Sequence, residues 1–237
     1  VALKPRRQMS QSNAIECADY ATILGKGFAL STYDYIEKPI YSIPVATSAN
    51  YQWPEDKDFA VCNKNFLWFG SIGFVHKGLD LLLEVFKDMP DYHLTICGPM
   101  SKEKDFLEVY EKELYGMPNI HTYGWVDVYS REFTDIANRC IALIFPSCSE
   151  GQSAAVVNCM HAGLLPIVSR QSGFDVQDFG VMLMDSSIEE IKEVIQSIAI
   201  LPIGDLREMA RKTWEYAREY HTKEAFIKGY NQALDKI

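Results

Sequence analysis

The chain has 237 residues, 48% hydrophobic and 23% charged, a composition that predicts a folded globular protein and excludes a disordered one. Its 23 basic and 32 acidic side chains give a formal charge of −9, which excludes nucleic-acid binding over a broad basic surface. Any anionic ligand must therefore be held locally, and the length suits one full α/β domain with a single core plus part of a second.

The basic run Lys4-Pro5-Arg6-Arg7 reads as a solvated chain end rather than a contact with anionic lipid. A helix-like segment ends near Ala18, a strand is expected at 20–24, and a turn-rich stretch runs to Pro44. Residues 51–63 are polar with a proline and read as an interdomain linker. From residue 64, apolar runs at 66–69, 94–97, 120–123, 141–145, 165–168 and 181–184 alternate with helix-period stripes such as Leu79, Leu82, Leu83 and Phe86. That alternation predicts an α/β fold, a Rossmann-like parallel sheet with helices on both faces. Residues 205–237 read as a helical pair whose aromatic residues, Trp214, Phe226 and Tyr230 among them, exceed what one small domain needs.

The six cysteines, at 17, 62, 97, 140, 148 and 159, form no Cys-x-x-Cys pair and read as reduced and structural. No apolar run approaches the roughly 18 residues of a membrane span, and no signal sequence opens the chain, so a cytoplasmic location is expected.

Two segments carry candidate chemistry. In 145–163 a strand gives way to a loop and then a helix, whose unpaired amides and dipole suit a phosphate or sugar oxygen. Glu150 lies just before that helix, placed either to accept two hydrogen bonds from a vicinal diol or to act as an N-terminal cap. In 69–78 a strand leads into a glycine-containing loop, where Lys77 is either a point charge for a diphosphate or an ordinary surface lysine.

The ordered set Gly70-Ser71, Lys77-Gly78, Cys97-Gly98, Asn119-Ile120, Gly124-Trp125-Val126, Pro146-Ser147, Glu150-Gly151 and Met160 resembles the C-terminal, donor-binding domain of retaining glycosyltransferases of the GT-B architecture, of the family four or group 1 type. The resemblance covers about residues 64–220, and residues 14–45 resemble the end of such an enzyme's N-terminal domain. It divides the chain into an N-terminal-domain remnant (1–50), a linker (51–63), the nucleotide-sugar-binding domain (64–220) and a C-terminal helix packing back towards the first domain (221–237).

The resemblance implies transfer of a sugar, with retention, from a nucleoside-diphosphate sugar to a glycan or lipid-linked acceptor, with no metal and no other cofactor. It makes Glu150 the catalytic residue, a partner of hydroxyls on the transferred sugar, and Lys77 a ligand of the diphosphate. Gly70, Ser71 and Gly73 belong to the diphosphate loop, Gly151, Gln152 and Ser153 to the amide-rich loop, and Val126 and its neighbours lie by the base. Two positions depart from the family pattern. Asn158 stands where a second glutamate usually meets the ribose, and Ser71 stands where an arginine is frequent. Any peripheral membrane contact would run through the N-terminal domain, and the aromatic C-terminal helices, left uncovered, would favour a homodimer.

The competing readings are a sugar-nucleotide epimerase of the same architecture, a non-catalytic nucleotide-sugar-binding module, and a hydrolase using Ser153 with Asp178 or Asp185 and His221. The hydrolase is disfavoured because Ser153 follows the strand by seven residues. Gly25-Lys26-Gly27 has Leu30 where a dinucleotide fingerprint needs its third glycine, and Asp56-Lys57-Asp58 imitates a metal motif from within the linker. His93, His121 and His161 read as structural.

Overall fold

The structure, a computed structural model, describes residues 14–49 and 51–237; the basic run at 4–7 lies outside the described residues. The first part contains α1 (Ala14–Cys17), β1 (Ala21–Leu24), α2 (Phe28–Ser31) and β2 (Ile40–Ile43), with β1 and β2 paired in parallel. The stretch up to Pro44 expected to be turns thus holds a strand. Ile40 and Ile43 flank only two residues, too short a run to announce itself, and pairing with β1 makes it a strand. The stretch read as a linker is also partly structured, because Asp58 caps α3 (Phe59–Cys62) by accepting from the amides of Ala60 and Val61. Capping occupies one carboxylate of the apparent metal motif, and Lys57 between the two aspartates is buried against the Ala137 carbonyl.

The main body follows as β3 (Asn65–Phe69), α4 (Leu79–Phe86), β4 (His93–Cys97), α5 (Lys104–Gly116), β5 (Ile120–Gly124), α6 (Arg131–Arg139), β6 (Ala142–Phe145), α7 (Ala154–His161), β7 (Leu165–Ser169), β8 (Val181–Leu183), α8 (Ile188–Ala199), α9 (Ile203–Tyr220) and α10 (Lys223–Leu234). The six strands form one parallel sheet in the order β5-β4-β3-β6-β7-β8. The inner strands β3, β6 and β7 are apolar at almost every position because both faces are covered, whereas the edge strand β5 alternates buried with exposed residues. Two apolar clusters result, one on each face, where a single core was expected from chain length. One gathers Phe66, Trp68, Leu83 and Ile195; the other gathers Leu67, Phe133, Val157 and Met160. Each such fully buried large side chain contributes about 1.5–3 kcal/mol.

Strand order reverses between β3 and β6. At that switch the crossovers leave in opposite directions, and the loops after the two strands lie side by side at the carboxyl ends of the sheet, the place where open α/β sheets bind ligands. The loop from Gly70 to Gly78 and the loop from Pro146 to Ser153 are those two loops. No helix among the described residues is long and apolar enough to cross a membrane.

The N-terminal segment is tied to the main body through His221. Its Nδ1 donates to the Val45 carbonyl at 2.8 Å, and its own carbonyl accepts from Thr47 N at 3.3 Å and from His161 Nε2 at 3.1 Å. Trp214 donates to the Tyr51 carbonyl at 3.0 Å and meets Trp53 edge-on, while Gly229 of α10 lies against Pro44 after β2. His93 and His121 face each other across β4 and β5, with Nδ1 and Nε2 3.2 Å apart.

Candidate donor site at the sheet switch point

The indole of Trp68, wholly buried in β3, needs an acceptor for its N–H and finds the Lys77 carbonyl at 3.1 Å. This bond fixes the backbone at Lys77 relative to the strand. Gly78 next to it has φ +71°, and a Cβ there would lie 2.5 Å from the Pro146 carbonyl, so only glycine lets the chain turn into α4 against the neighbouring loop. The same closeness brings the loops into contact: the His76 carbonyl accepts from Ser147 Oγ at 3.1 Å and from Cys148 N at 2.9 Å.

The second loop is held from its other side by the end of β7 and the residues that follow it. Glu150 N donates to the Gln171 carbonyl at 2.9 Å, and Ser169 Oγ donates to the Ser147 carbonyl. At Gly173, φ is +78° and a Cβ would fall 1.8 Å from the Gly151 carbonyl; Gly25, at the end of β1, packs on the same carbonyl. Gln152 Oε1 accepts from Val45 N at 2.8 Å, and its amide nitrogen reaches the Gly173 carbonyl at 3.5 Å.

Held this way, Lys77 Nζ and a Glu150 carboxylate oxygen form an ion pair across the switch point. The side chains are 14% and 19% exposed, so the pair is partly desolvated yet reachable. Lys77 also lies 5.7 Å from the centroid of the Phe145 ring, an additional contact for its charge. Ser153 is the N-cap of α7, but its hydroxyl makes no capping bond, which leaves the first amides of that helix unsatisfied by it. The arrangement therefore presents a cation, a carboxylate and a helix N-terminus at one place, the combination that receives a phosphorylated polyol.

The other expected residues are distributed unequally around this centre. Gly70 lies at the carboxyl end of β3, where its amide bonds the Cys97 carbonyl and a Cβ would meet Trp68 and Lys77. Ser71 is exposed beside it, and Gly73 N donates to the buried carboxylate of Glu103. Val126 is 2% exposed and belongs to the apolar cluster, while its neighbour Trp125 is 65% exposed. Asn158 is also buried, accepting from Thr47 Oγ1 at 2.5 Å and donating to the Ala154 carbonyl at 2.9 Å. Its amide tethers the segment after β2.

The residues of the hydrolase reading do not assemble. His221 spends Nδ1 on Val45, its Nε2 has no partner among the described residues, and Asp178 pairs with Lys212 at 2.7 Å. Sequence reading passed over Thr47, which bonds Asn158 of α7, and over Glu103, Gln171 and Gly173, each of which holds a site loop from a distance. The only local signal was Gly173 after the polar run Ser169-Arg170-Gln171-Ser172, a turn signature.

Comparison with known proteins agrees with this fold. Residues 63–211 match the family Glycosyl transferases group 1, while no curated protein sequence matches the chain. Among solved structures, Anabaena HepE in complex with UDP and glucose is similar with a TM-score of 0.74 and 11% identity, over 94% of this chain and 65% of that one. Sucrose-phosphate synthase from Thermosynechococcus elongatus gives 0.71 and 16%, over 91% and 58%. A TarM variant from S. aureus, in complex with fondaparinux, alpha-GlcNAc-glycerol and UDP, gives 0.70 and 15%, over 93% and 44%. The chain thus spans 44–65% of these proteins' lengths. The family match covers all six strands of the sheet and both loops at its switch point, and on that basis the chain belongs to the Glycosyl transferases group 1 family.

Proposed function

We propose that this chain is the donor-binding part of a retaining glycosyltransferase and that it binds a nucleoside-diphosphate sugar at the switch point between β3 and β6. The observation that carries this reading is the Lys77–Glu150 pair between the two loops, set at the N-terminus of α7. Lys77 exchanges its carboxylate partner for the diphosphate, and the released Glu150 accepts hydrogen bonds from hydroxyls of the transferred sugar. Gly151, Gln152 and Ser153 supply backbone amides near the diphosphate, and Gly70, Ser71 and Gly73 border it. The base lies by the 124–127 loop, where Trp125 offers an exposed ring.

Neither role needs a metal ion, because the positive charge facing the diphosphate comes from Lys77 and the dipole of α7. The acceptor, a glycan or lipid-linked glycan, is positioned by an N-terminal domain of which residues 14–45 form the trailing part. In this reading the 237-residue chain, which covers 44–65% of the length of its structural neighbours, binds donor without transferring sugar. A thermal-shift screen against nucleotides and nucleotide sugars tests the proposal. A ligand at about 100 times its Kd stabilises the native state by about 2.7 kcal/mol. A selective shift with one nucleoside diphosphate and its sugars is expected, and no shift with any of them contradicts the reading.

A further inference from the structure

A second group of reactive side chains adjoins the Lys77–Glu150 pair and has no part in the donor reading. Among the described residues Cys148 and Cys17 are exposed, while Cys62, Cys97, Cys140 and Cys159 are buried. Only the buried four fit the structural role expected of all six. Cys148 Sγ lies 3.4 Å from Nδ1 of His76, and the other ring nitrogen, Nε2, bonds the Ser149 carbonyl. A carbonyl oxygen only accepts, so Nε2 carries the proton and Nδ1 turns a lone pair towards the thiol. The two bonds to the His76 carbonyl, from Ser147 Oγ and Cys148 N, hold imidazole and thiol in that relation. A nucleophile, a base and a group that orients the base are thereby aligned, which is the arrangement that activates a thiol.

We propose that Cys148 is a modification site for low-molecular-weight disulfides and that its adduct closes the donor site, the second half resting on the donor assignment above. As Cys148 Sγ attacks one sulfur of the disulfide, its proton passes to His76 Nδ1. A new S–S bond forms, the original S–S bond breaks, and the departing thiolate takes the proton back from His76. No further oxidant enters. The product is a mixed disulfide two residues from Glu150, on the loop that faces Lys77, where it obstructs the approach of a diphosphate. Because the exchange reverses with excess thiol, occupancy of the site follows the surrounding thiol–disulfide ratio.

The test is to incubate the 237-residue chain with glutathione disulfide at neutral pH and follow each cysteine by peptide mass spectrometry, with Cys17 as the exposed reference. Cys148 is expected to react at least about tenfold faster than Cys17. In His76→Phe and His76→Asn it should slow to the rate of Cys17, thermal melting confirming that at least one variant is folded. Equal rates for the two cysteines in the parent chain, or a fast Cys148 in a folded His76 variant, overturn the activated thiol. The adduct should weaken UDP or GDP binding at least about tenfold, reversibly with dithiothreitol, while Cys148→Ser binds as the parent does. An adduct that binds nucleotide as well as the parent overturns the closure. A parent chain that binds no nucleotide overturns the closure together with the donor assignment, and leaves the rate comparison to decide the thiol site.

Discussion

Lys77 and Glu150 are 73 residues apart in sequence, and the fold joins them as an ion pair at the point where strand order reverses. The pairing makes the two side chains a coupled unit: whatever binds one must break or share the bond to the other. Substitutions at the two positions therefore have different signatures.

Lys77→Ala removes the cation and leaves Glu150 facing the diphosphate. It should weaken UDP or GDP binding by about 1–3 kcal/mol and leave nucleoside binding unchanged. Calorimetric titration with nucleoside, diphosphate and triphosphate separates the contributions, and an unaltered diphosphate affinity would refute the role of Lys77.

Glu150→Gln keeps the shape but removes the charge that holds Lys77. Nucleotide-sugar binding should fall by about 1–3 kcal/mol, while binding of the diphosphate alone is unchanged or improved because Lys77 is freed. Equal losses for both ligands, measured by the same titrations, would show that Glu150 does not meet the sugar.

His221 predicts how stability varies with pH. Burial holds its imidazole neutral and pushes the pKa down to about 4 from the ordinary 6.5, only partly opposed by the bond to Val45. The unfolded chain takes up a proton that the native state refuses. Stability is therefore full above about pH 6.5 and falls by about 3 kcal/mol as pH drops to about 4. His161, lowered mainly by its own burial, acts in the same direction. Urea unfolding at a series of pH values should show this loss, and His221→Gln should reduce it.

Lys57 is 6% exposed, and burial lowers its pKa; its ammonium has one carbonyl acceptor and lies 5.6 Å from the Phe59 ring centroid. That acceptor, Ala137 O, also receives Cys140 N, so removing the lysine leaves no buried acceptor unpaired. Lys57→Met should stabilise the chain by about 1–2 kcal/mol at neutral pH. For the parent, stability should rise with pH towards the unfolded lysine pKa, because the unfolded state carries the extra proton; the variant should lack that part of the rise. A destabilised variant in urea unfolding would show that the ammonium is better solvated than its burial implies.

The parallel sheet was legible because β3, β6 and β7 are continuous apolar runs bounded by turn residues, a local pattern. The two site loops could be located for the same reason, as the segments following such strands. What could not be read is the tertiary part. Nothing near Lys77 names Glu150 as its partner, since that contact depends on β3 and β6 becoming neighbours in the sheet, and Asn158 gives no sign that it holds Thr47, since that one depends on how the segment after β2 packs on the main body. β2 itself was missed because a four-residue strand at a sheet of two carries almost no period.

The central claim is that Lys77, Glu150 and the start of α7 bind a nucleoside-diphosphate sugar without a metal. Its most direct test is a calorimetric titration of the parent chain with UDP, GDP and their sugars in excess chelator, alongside Lys77→Ala and Glu150→Gln. The account predicts metal-independent binding of one diphosphate and its sugar, with the lysine variant losing both and the glutamate variant losing chiefly the contribution of the sugar. Binding that vanishes with chelator, or that neither substitution alters, would contradict it.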